Sequence, residues 1–246
     1  MKNLKLAAVC LSCLTMTGCS ALNFSVEGLI NAPKLTSEQS EIHQALIESV
    51  GSNITLKYPK NGEYRSAYVI ANIDDEPTDE AMVFYEYTSN GSEEDGLRVN
   101  ILDKDEDGKW YSVKELAGAG TDIDQVIISP MGSNNQTDVF VGYQNLTNDE
   151  KTMEIYSYTD GDFKRVALDT YSVLEPLDIN NDGYIELITI QRSTNNDTGA
   201  VTAKASMLNM KNNEITRGEN VDMCDNVTSY AVSYTHLRAH ETRSNL

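Results

Sequence analysis

The stretch Asp178–Leu187, DINNDGYIEL, is the most informative segment of this 246-residue chain. Asp178, Asn180 and Asp182 alternate, Gly183 follows them, and apolar residues flank the segment on both sides. Side chains with this spacing can direct their oxygens into the centre of an irregular loop, and glycine permits a tight turn there. The stretch therefore predicts an oxygen-rich loop between two β-strands.

Calcium is the ion that best matches such a loop, because it takes about six to eight hard oxygen ligands in a flexible cage. The predicted ligands are Asp178, Asn180, Asp182, the backbone carbonyl of Tyr184, and Glu186. The loop is not an EF-hand, since Thr189 stands at its twelfth position and both flanks are strand-like. The alternative is a polar turn held by side-chain-to-backbone hydrogen bonds, without a metal.

The same plan of strand, polar loop and strand occurs three times. The copies read VIANIDDEPTDEAMVFYEY, VIISPMGSNNQTDVFVGYQ and LEPLDINNDGYIELITIQ, with loops near 72–80, 129–138 and 178–186. A repeat of about 50 residues is typical of a blade of four short strands. The sequence therefore predicts an all-β protein, with β-propeller-like blades of short antiparallel strands.

A short N-terminal helix precedes the strands. Thr36 can cap it, Gln39 stands three residues later, and Gly51 ends an apolar stripe of helical spacing. His43 lies off that stripe and is predicted to be a solvated helix residue. A lead-in strand, ITLKY, begins at Ile54.

The repeats resemble the FG-GAP/VCBS family of β-propeller repeats, and the chain is similar to VCBS repeat-containing bacterial lipoproteins. Only the third loop keeps the calcium pattern of that family well. The first has Pro77 where a turn glycine would stand, and the second is rich in Ser, Asn and Gln. The resemblance implies an incomplete β-propeller and a binding, adhesion or scaffold function, with an extracellular protein or carbohydrate as ligand.

The N-terminus has the pattern of a targeting segment. Lys2 and Lys5 precede a short apolar run at 6–16, which is too short to span a bilayer. The run leads into Met-Thr-Gly-Cys, which ends at Cys19 and resembles a lipobox. We therefore expect a lipid on Cys19 and a location on the extracytoplasmic face of the cell membrane. The alternative is a plain secretory signal.

The far end of the chain is predicted to have a different origin, with a natural basic tail as the alternative. Residues 232–242, VSYTHLRAHET, match a translation of the transposase adapter used in DNA library preparation. His236 and His240 fall in this string and are therefore not candidate ligands. We expect the repeat domain to be truncated near Ala231.

These patterns divide the chain into five segments. They are a lipoprotein signal peptide (1–18), a tether (19–35), the helix and lead-in strand (36–65), about three repeats (66–231) and an adapter-derived tail (232–246).

The charge and the missing motifs argue against several classes of function. The chain has 19 Lys and Arg against 38 Asp and Glu, a net charge of -19, which argues against nucleic acid as a partner because both carry negative charge. A nucleophile elbow, a Cys–His pair, zinc spacing and a phosphate loop are all missing from the sequence. We predict a protein that is not an enzyme. The alternatives are a secreted hydrolase or lyase that acts on glycans through paired carboxylates, and a larger protein whose catalytic part lies beyond this sequence.

Overall fold

The computed structural model describes residues 35–88, 96–131, 136–145, 150–194, 197, 200–211 and 214–225. Nearly all of them belong to one compact unit, Gln39–Leu246. The predicted lipid site at Cys19 and the tail 232–246 lie outside the described residues. In the described part of the chain, no helix is long and apolar enough to cross a membrane.

In the described part of the chain an α-helix, α1 (Ser37–Val50), precedes the strands, as predicted. It buries Ile42, Ala45 and Leu46 on one face. It ends where the Gly51 N–H donates to the Ile47 carbonyl at 2.9 Å, with Gly51 at φ 85°. A left-handed residue at this position is the usual way to stop a helix, and glycine adopts it without steric cost.

Among the described residues, fourteen strands follow the helix. They are β1 (Ile54–Leu56), β2 (Tyr68–Ala71), β3 (Glu80–Tyr87), β4 (Leu97–Lys104), β5 (Trp110–Ala117), β6 (Asp122–Ser129), β7 (Asp138–Gln144), β8 (Lys151–Thr159), β9 (Asp162–Tyr171), β10 (Val173–Leu177), β11 (Glu186–Thr194), β12 (Val201–Lys211), β13 (Glu214–Arg217) and β14 (Val221–Asp225). The prediction of an all-β protein is confirmed.

The strands form three antiparallel sheets in chain order. Sheet 1 contains β1 to β5, sheet 2 contains β6 to β9, and sheet 3 contains β10 to β14. Sheet 2 is a plain four-stranded meander, β6-β7-β8-β9. In sheet 1 both β1 and β2 pair with β3, so the lead-in strand is part of the first sheet. In sheet 3 both β13 and β14 pair with β12.

Asp-Gly pairs form tight turns between neighbouring strands. Asp160 and Gly161, between β8 and β9, have φ values of 55° and 75°. Two successive left-handed residues are the hallmark of a two-residue hairpin turn, and Asp-Gly is a favoured pair for it. Gly108, between β4 and β5, has φ 76°.

The sheets pack face to face. Sheets 1 and 2 share a core that includes Phe84, Val99 and Val141. The opposite face of sheet 2 shares a second core with sheet 3, around Phe140 and Leu187. Sheet 2 is therefore buried on both faces, which explains why β7 is buried along almost its whole length. The other face of sheet 1 is covered by α1.

Candidate functional site

The predicted metal loop connects β10 to β11 at one end of sheet 3. Asn181 and Gly183 have φ values of 59° and 89°, so the loop contains two left-handed residues. Asp178, Asn180 and Asp182 are all exposed. The tight turn that the sequence predicts at Gly183 is present.

Backbone N–H groups of the loop bond to its own acidic and amide side chains. Asp178 accepts from the Asp182 N–H at 3.1 Å and from the Gly183 N–H at 3.0 Å. The Asn180 side chain also accepts from the Asp182 N–H, at 2.9 Å, and Asp182 accepts from the Tyr184 N–H at 2.9 Å. These are Asx-type turns, the arrangement that the metal-free alternative predicts. They hold the loop in shape without an ion.

The donor set nevertheless suits calcium. One oxygen of Asp178 and one of Asn180 meet at the same N–H, so they lie near each other. Glu186 reaches the same loop, since the Asn180 side-chain amide donates to it at 3.3 Å. Each oxygen keeps a lone pair beyond the one that is bonded. Within the described ranges, however, no three His, Cys, Asp or Glu side chains are grouped closely enough to hold a metal.

Glu186 also has a structural role that recurs in the other two sheets. Its carboxylate accepts from the backbone N–H of Ile179, seven residues earlier, at 3.0 Å. Asp138 accepts from the N–H of Met131 at 3.0 Å, again seven residues earlier. Glu80 likewise accepts from the N–H of Ile73 at 2.8 Å. Each acid begins the second strand of its repeat and closes the loop before it, and we call these three residues the loop-closing acids.

The loop-closing acids differ in how their second oxygen is satisfied. In sheet 2, Asp138 pairs across the strands with Ser157, whose hydroxyl donates to it. In sheet 1, Ala81 pairs with Leu102, which places Asp103 beside Glu80. An ionised aspartate has no hydrogen to donate. Glu80 is 1% exposed and its Oε1 has no hydrogen-bond partner.

Burial of Glu80, helped by the nearby carboxylates of Asp74 and Asp103, raises its pKa from 4.5 to about 7. The folded protein therefore binds this proton more tightly than the unfolded chain does. Stability from the protonated form is complete below the unfolded pKa near 4.5 and is lost as the pH rises through about 7. We expect the free energy of unfolding to fall by roughly 2–3 kcal/mol from pH 4.5 to pH 7.5.

Urea unfolding across this pH range measures the effect. Glu80→Gln, which keeps a neutral side chain at every pH, is expected to remove most of the slope. Glu76→Gln is the matched control, because Glu76 lies in the same loop but is exposed. An unchanged slope in Glu80→Gln would assign the pH dependence to another group.

A second candidate site is a cleft of about 670 Å³ between the inner edges of sheets 2 and 3. Strands β6 and β10 form its long walls, and residues 61–64 form a third side. Asp124 lies in its lining and is 2% exposed. We call this space the inner cleft.

Asp124 is the centre of a polar cluster at one end of the inner cleft. Its carboxylate accepts from Lys151 Nζ at 2.7 Å, from the Tyr171 hydroxyl at 2.7 Å and from Asn61 Nδ2 at 2.8 Å. Burial and Asp124 together raise the pKa of Tyr171 far above its usual value, so this phenol stays a donor. The carboxylate is fully satisfied, which is the condition for keeping a charge in a protein interior.

Sequence reasoning missed this cluster. Its only local signal is an acid that precedes the apolar run Val126–Ile128 by two positions, and its partners come from elements up to 63 residues away. His43, predicted to be solvated, is instead half-buried and its Nδ1 lies 2.8 Å from the Tyr68 hydroxyl. Trp110 is 2% exposed and packs in the core beneath α1.

Fold and sites together define an all-β protein of three stacked antiparallel sheets, with an acidic loop at one end of sheet 3 and a polar cleft between sheets 2 and 3. No family model matches the chain, and no curated protein or solved structure is significantly similar to it. The resemblance to FG-GAP/VCBS repeats therefore stays a prediction.

Proposed function

We propose that this protein is a lipid-anchored binding module on the extracytoplasmic face of a bacterial cell membrane, and that it is not an enzyme. In this proposal calcium stiffens the loop 178–186, the sheets serve as a scaffold, and the ligand is an extracellular protein or carbohydrate. The lipid would be attached at Cys19. Mass spectrometry of the mature N-terminus tests the anchor, because a lipidated Cys19 and an unmodified one differ in mass.

The observation that supports the calcium part is the convergence of oxygens in the loop. Asp178 and Asn180 share one backbone donor, and Glu186 lies within reach of Asn180. A bound calcium would be held by Asp178, Asn180, Asp182, Glu186 and the carbonyl of Tyr184. Its role would be structural, since it would fix the connection between β10 and β11.

A calcium titration with thermal unfolding tests this proposal. An ion that binds only the folded state adds about 2.7 kcal/mol at a hundred times its Kd. For a domain of this size that corresponds to a rise in Tm of roughly 5–10 °C, which EDTA should reverse. Magnesium should give a smaller rise, because it prefers a rigid octahedral site.

Variants locate the effect. The double substitution Asp178→Ala and Asp182→Ala should abolish the calcium-dependent rise in Tm. Asp107→Ala is the matched control, since Asp107 is an exposed acid of another acidic turn, between β4 and β5. A wild-type Tm that calcium and EDTA leave unchanged would refute the metal and leave the Asx-turn network as the whole explanation of the loop.

A further inference from the structure

We propose that an acidic patch where sheets 1 and 2 meet binds arginine side chains of an extracellular protein. This inference rests on the proposed role as a binding module and names the chemistry of its ligand. The acidic patch consists of four acids and two aromatic side chains: Asp74, Asp75, Glu76, Asp103, Tyr111 and Tyr158. The first three acids belong to the loop 72–80, and the other members come from β4, β5 and β8.

Strand register and loop geometry bring the members of sheet 1 together. Asp103 pairs with Tyr111 across β4 and β5, and the Tyr111 hydroxyl donates to Asp103 at 3.5 Å. Within the loop, Asp74 accepts from the Glu76 N–H at 2.7 Å. Burial, Asp103 and Glu76 together raise the pKa of the Tyr111 hydroxyl. The acids of the loop and of β4 therefore lie near the same ring.

Tyr158 adds a second ring from sheet 2. Its hydroxyl has a raised pKa, which is caused by burial and by the charges of all four acids of the patch. The ring is half-buried and packs on Phe163, with 5.1 Å between the ring centres. Tyr111, in contrast, is 45% exposed. The acidic patch thus offers an open aromatic face beside carboxylates from two elements.

The negative charge of the patch is not neutralised. In the ranges that the structure describes, no Lys, Arg or His forms an ion pair with any of its four acids. The donors to Asp74 and Asp103 are backbone N–H groups and a tyrosine hydroxyl, which carry no charge. Lys104 follows Asp103 in the chain, but its ammonium lies 4.4 Å from the centre of the Trp110 ring, on the α1 side of sheet 1. A cationic partner is the electrostatic complement of such a surface.

Glu80 is an independent sign that a donor is missing here. It is 1% exposed and stands beside Asp103 in the strand register. Its Oε2 accepts from the Ile73 N–H, whereas its Oε1 has no partner among the described residues. After burial, Asp74 and Asp103 are the charges that raise its pKa, so both lie close to it. A buried oxygen without a donor is costly, and an N–H group held between these two acids would supply the donor.

The spacing of the acids favours an organic cation over a metal ion. No three acids in the described part of the chain are grouped closely enough to hold a metal. A guanidinium has five N–H donors in a planar fork, so it can bridge carboxylates that a single ion cannot reach. It also stacks on aromatic rings, and Tyr111 presents one. Arginine therefore fits the acidic patch better than lysine, whose ammonium is compact and more strongly hydrated.

Fluorescence anisotropy with labelled acetyl-Arg-Gly-Arg-Gly-Arg-amide tests the proposal on the full chain, at an ionic strength of about 0.05 M, where screening is weaker than in physiological salt. We expect saturable binding. The matched peptide with citrulline in place of arginine keeps the shape without the charge, and it should bind at least about tenfold more weakly. Equal binding of the citrulline peptide, or no binding of the arginine peptide at millimolar concentration, would overturn the proposal.

Two further ligands of the same charge test the choice of arginine. The peptide with lysine in place of arginine should bind roughly threefold more weakly, because an ammonium lacks the planar fork. Equal binding of the lysine peptide would overturn the choice of arginine. Displacement of the arginine peptide by lower concentrations of spermidine would overturn a protein side chain as the ligand, in favour of a free polyamine.

Variants locate the site. The double substitution Asp74→Asn and Asp103→Asn keeps an acceptor at each position and removes two charges, so it should weaken binding roughly tenfold. Tyr111→Leu removes the ring and should weaken it roughly two- to fivefold. Asp107→Asn is the matched control on the α1 side of the β4–β5 turn, and it should change the affinity by less than about twofold. Unchanged binding in the double variant, with folding verified by circular dichroism, would refute the acidic patch.

Glu80 provides a readout that non-specific attraction would lack. Its pKa is raised by burial to about 7, and a guanidinium beside it favours the ionised form. The arginine peptide, which stays charged, should therefore bind several-fold more tightly at about pH 8 than at about pH 5.5. Glu80→Gln should remove most of this difference. A difference that persists in Glu80→Gln would contradict contact between the ligand and Glu80.

Peptide binding is measured separately from the lipid on Cys19 and from the calcium response. Both of those without peptide binding would refute the acidic patch and keep the anchored, calcium-binding module. Peptide binding without either would keep arginine as the ligand and remove the anchor and the metal from the proposed function.

Discussion

Replacing Gly142 by alanine is expected to lower the free energy of unfolding by about 3–4 kcal/mol. Gly142 lies in the middle of β7, and a methyl group there would overlap the hydroxyl of Tyr171 and approach the Phe140 ring to 3.2 Å. Tyr171 is 0% exposed and donates to Asp124, so it cannot move aside without breaking that bond. The cost therefore combines overpacking with the loss of a buried hydrogen bond.

A double-mutant cycle identifies the cause. Tyr171→Phe removes the overlapping oxygen and is expected to cost about 1–2 kcal/mol by itself, because Asp124 then loses one donor. Gly142→Ala should cost clearly less in the Tyr171→Phe background than in the wild type. Urea unfolding followed by circular dichroism provides all four free energies. Additive losses would show that the Tyr171 hydroxyl is not the obstacle.

Gly218→Ala is the matched glycine control. Gly218 is exposed, and a methyl group there would come no closer than 3.4 Å to its neighbours. This change should alter the free energy of unfolding by less than about 1 kcal/mol. A small increase is expected, because alanine lowers the conformational entropy of the unfolded chain. A large loss at Gly218 would mean that an added methyl group is costly even where it overlaps no neighbouring atom.

Asp124→Ala is expected to lower the free energy of unfolding by about 3–5 kcal/mol. The substitution leaves the ammonium of Lys151, which is 20% exposed, without its counter-ion. It also leaves the Tyr171 hydroxyl and the Asn61 amide without their acceptor. Buried polar groups without hydrogen-bond partners are no longer compensated for their desolvation. The loss in free energy of unfolding therefore exceeds that from removing a surface ion pair.

Asp122 on the same strand provides the comparison. Its carboxylate pairs with Lys60 at 2.8 Å and with Lys57 at 3.7 Å, in a more exposed position. Asp122→Ala should therefore cost less than about 1 kcal/mol. Urea unfolding measures the loss in free energy of unfolding for each variant. The ratio of the two losses tests whether burial decides how much an ion pair contributes to stability. Similar losses for both variants would contradict that view.

Much of the fold could be predicted because its signals are local. Asp-Gly turns, β-branched alternation and the position of Gly51 each depend on a few neighbouring residues, and the structure has the corresponding hairpins, strands and helix end. Strands β13 and β14 were not predicted. Their sequences, EITR and VDMCD, are short and lack a strong alternating pattern, and they become strands by pairing with β12.

The three loop-closing acids show which features can be predicted from the sequence and which depend on the register of the sheets. Their presence at the start of β3, β7 and β11 is visible in the sequence, but their different environments are not. Asp138 meets a serine across the strands, whereas Glu80 stands beside Asp103, and only the register of the sheet decides this.

The sequence by itself determined the all-β class, the N-terminal helix and the position of the loop 178–186, because turn chemistry and side-chain periodicity act over a few residues. Tertiary structure alone decided that Asp124 meets Lys151, Tyr171 and Asn61, and that β6 and β10 line a common cleft. These contacts depend on how separate sheets pack together, since residues 27 to 63 positions apart become neighbours only when the apolar faces are buried.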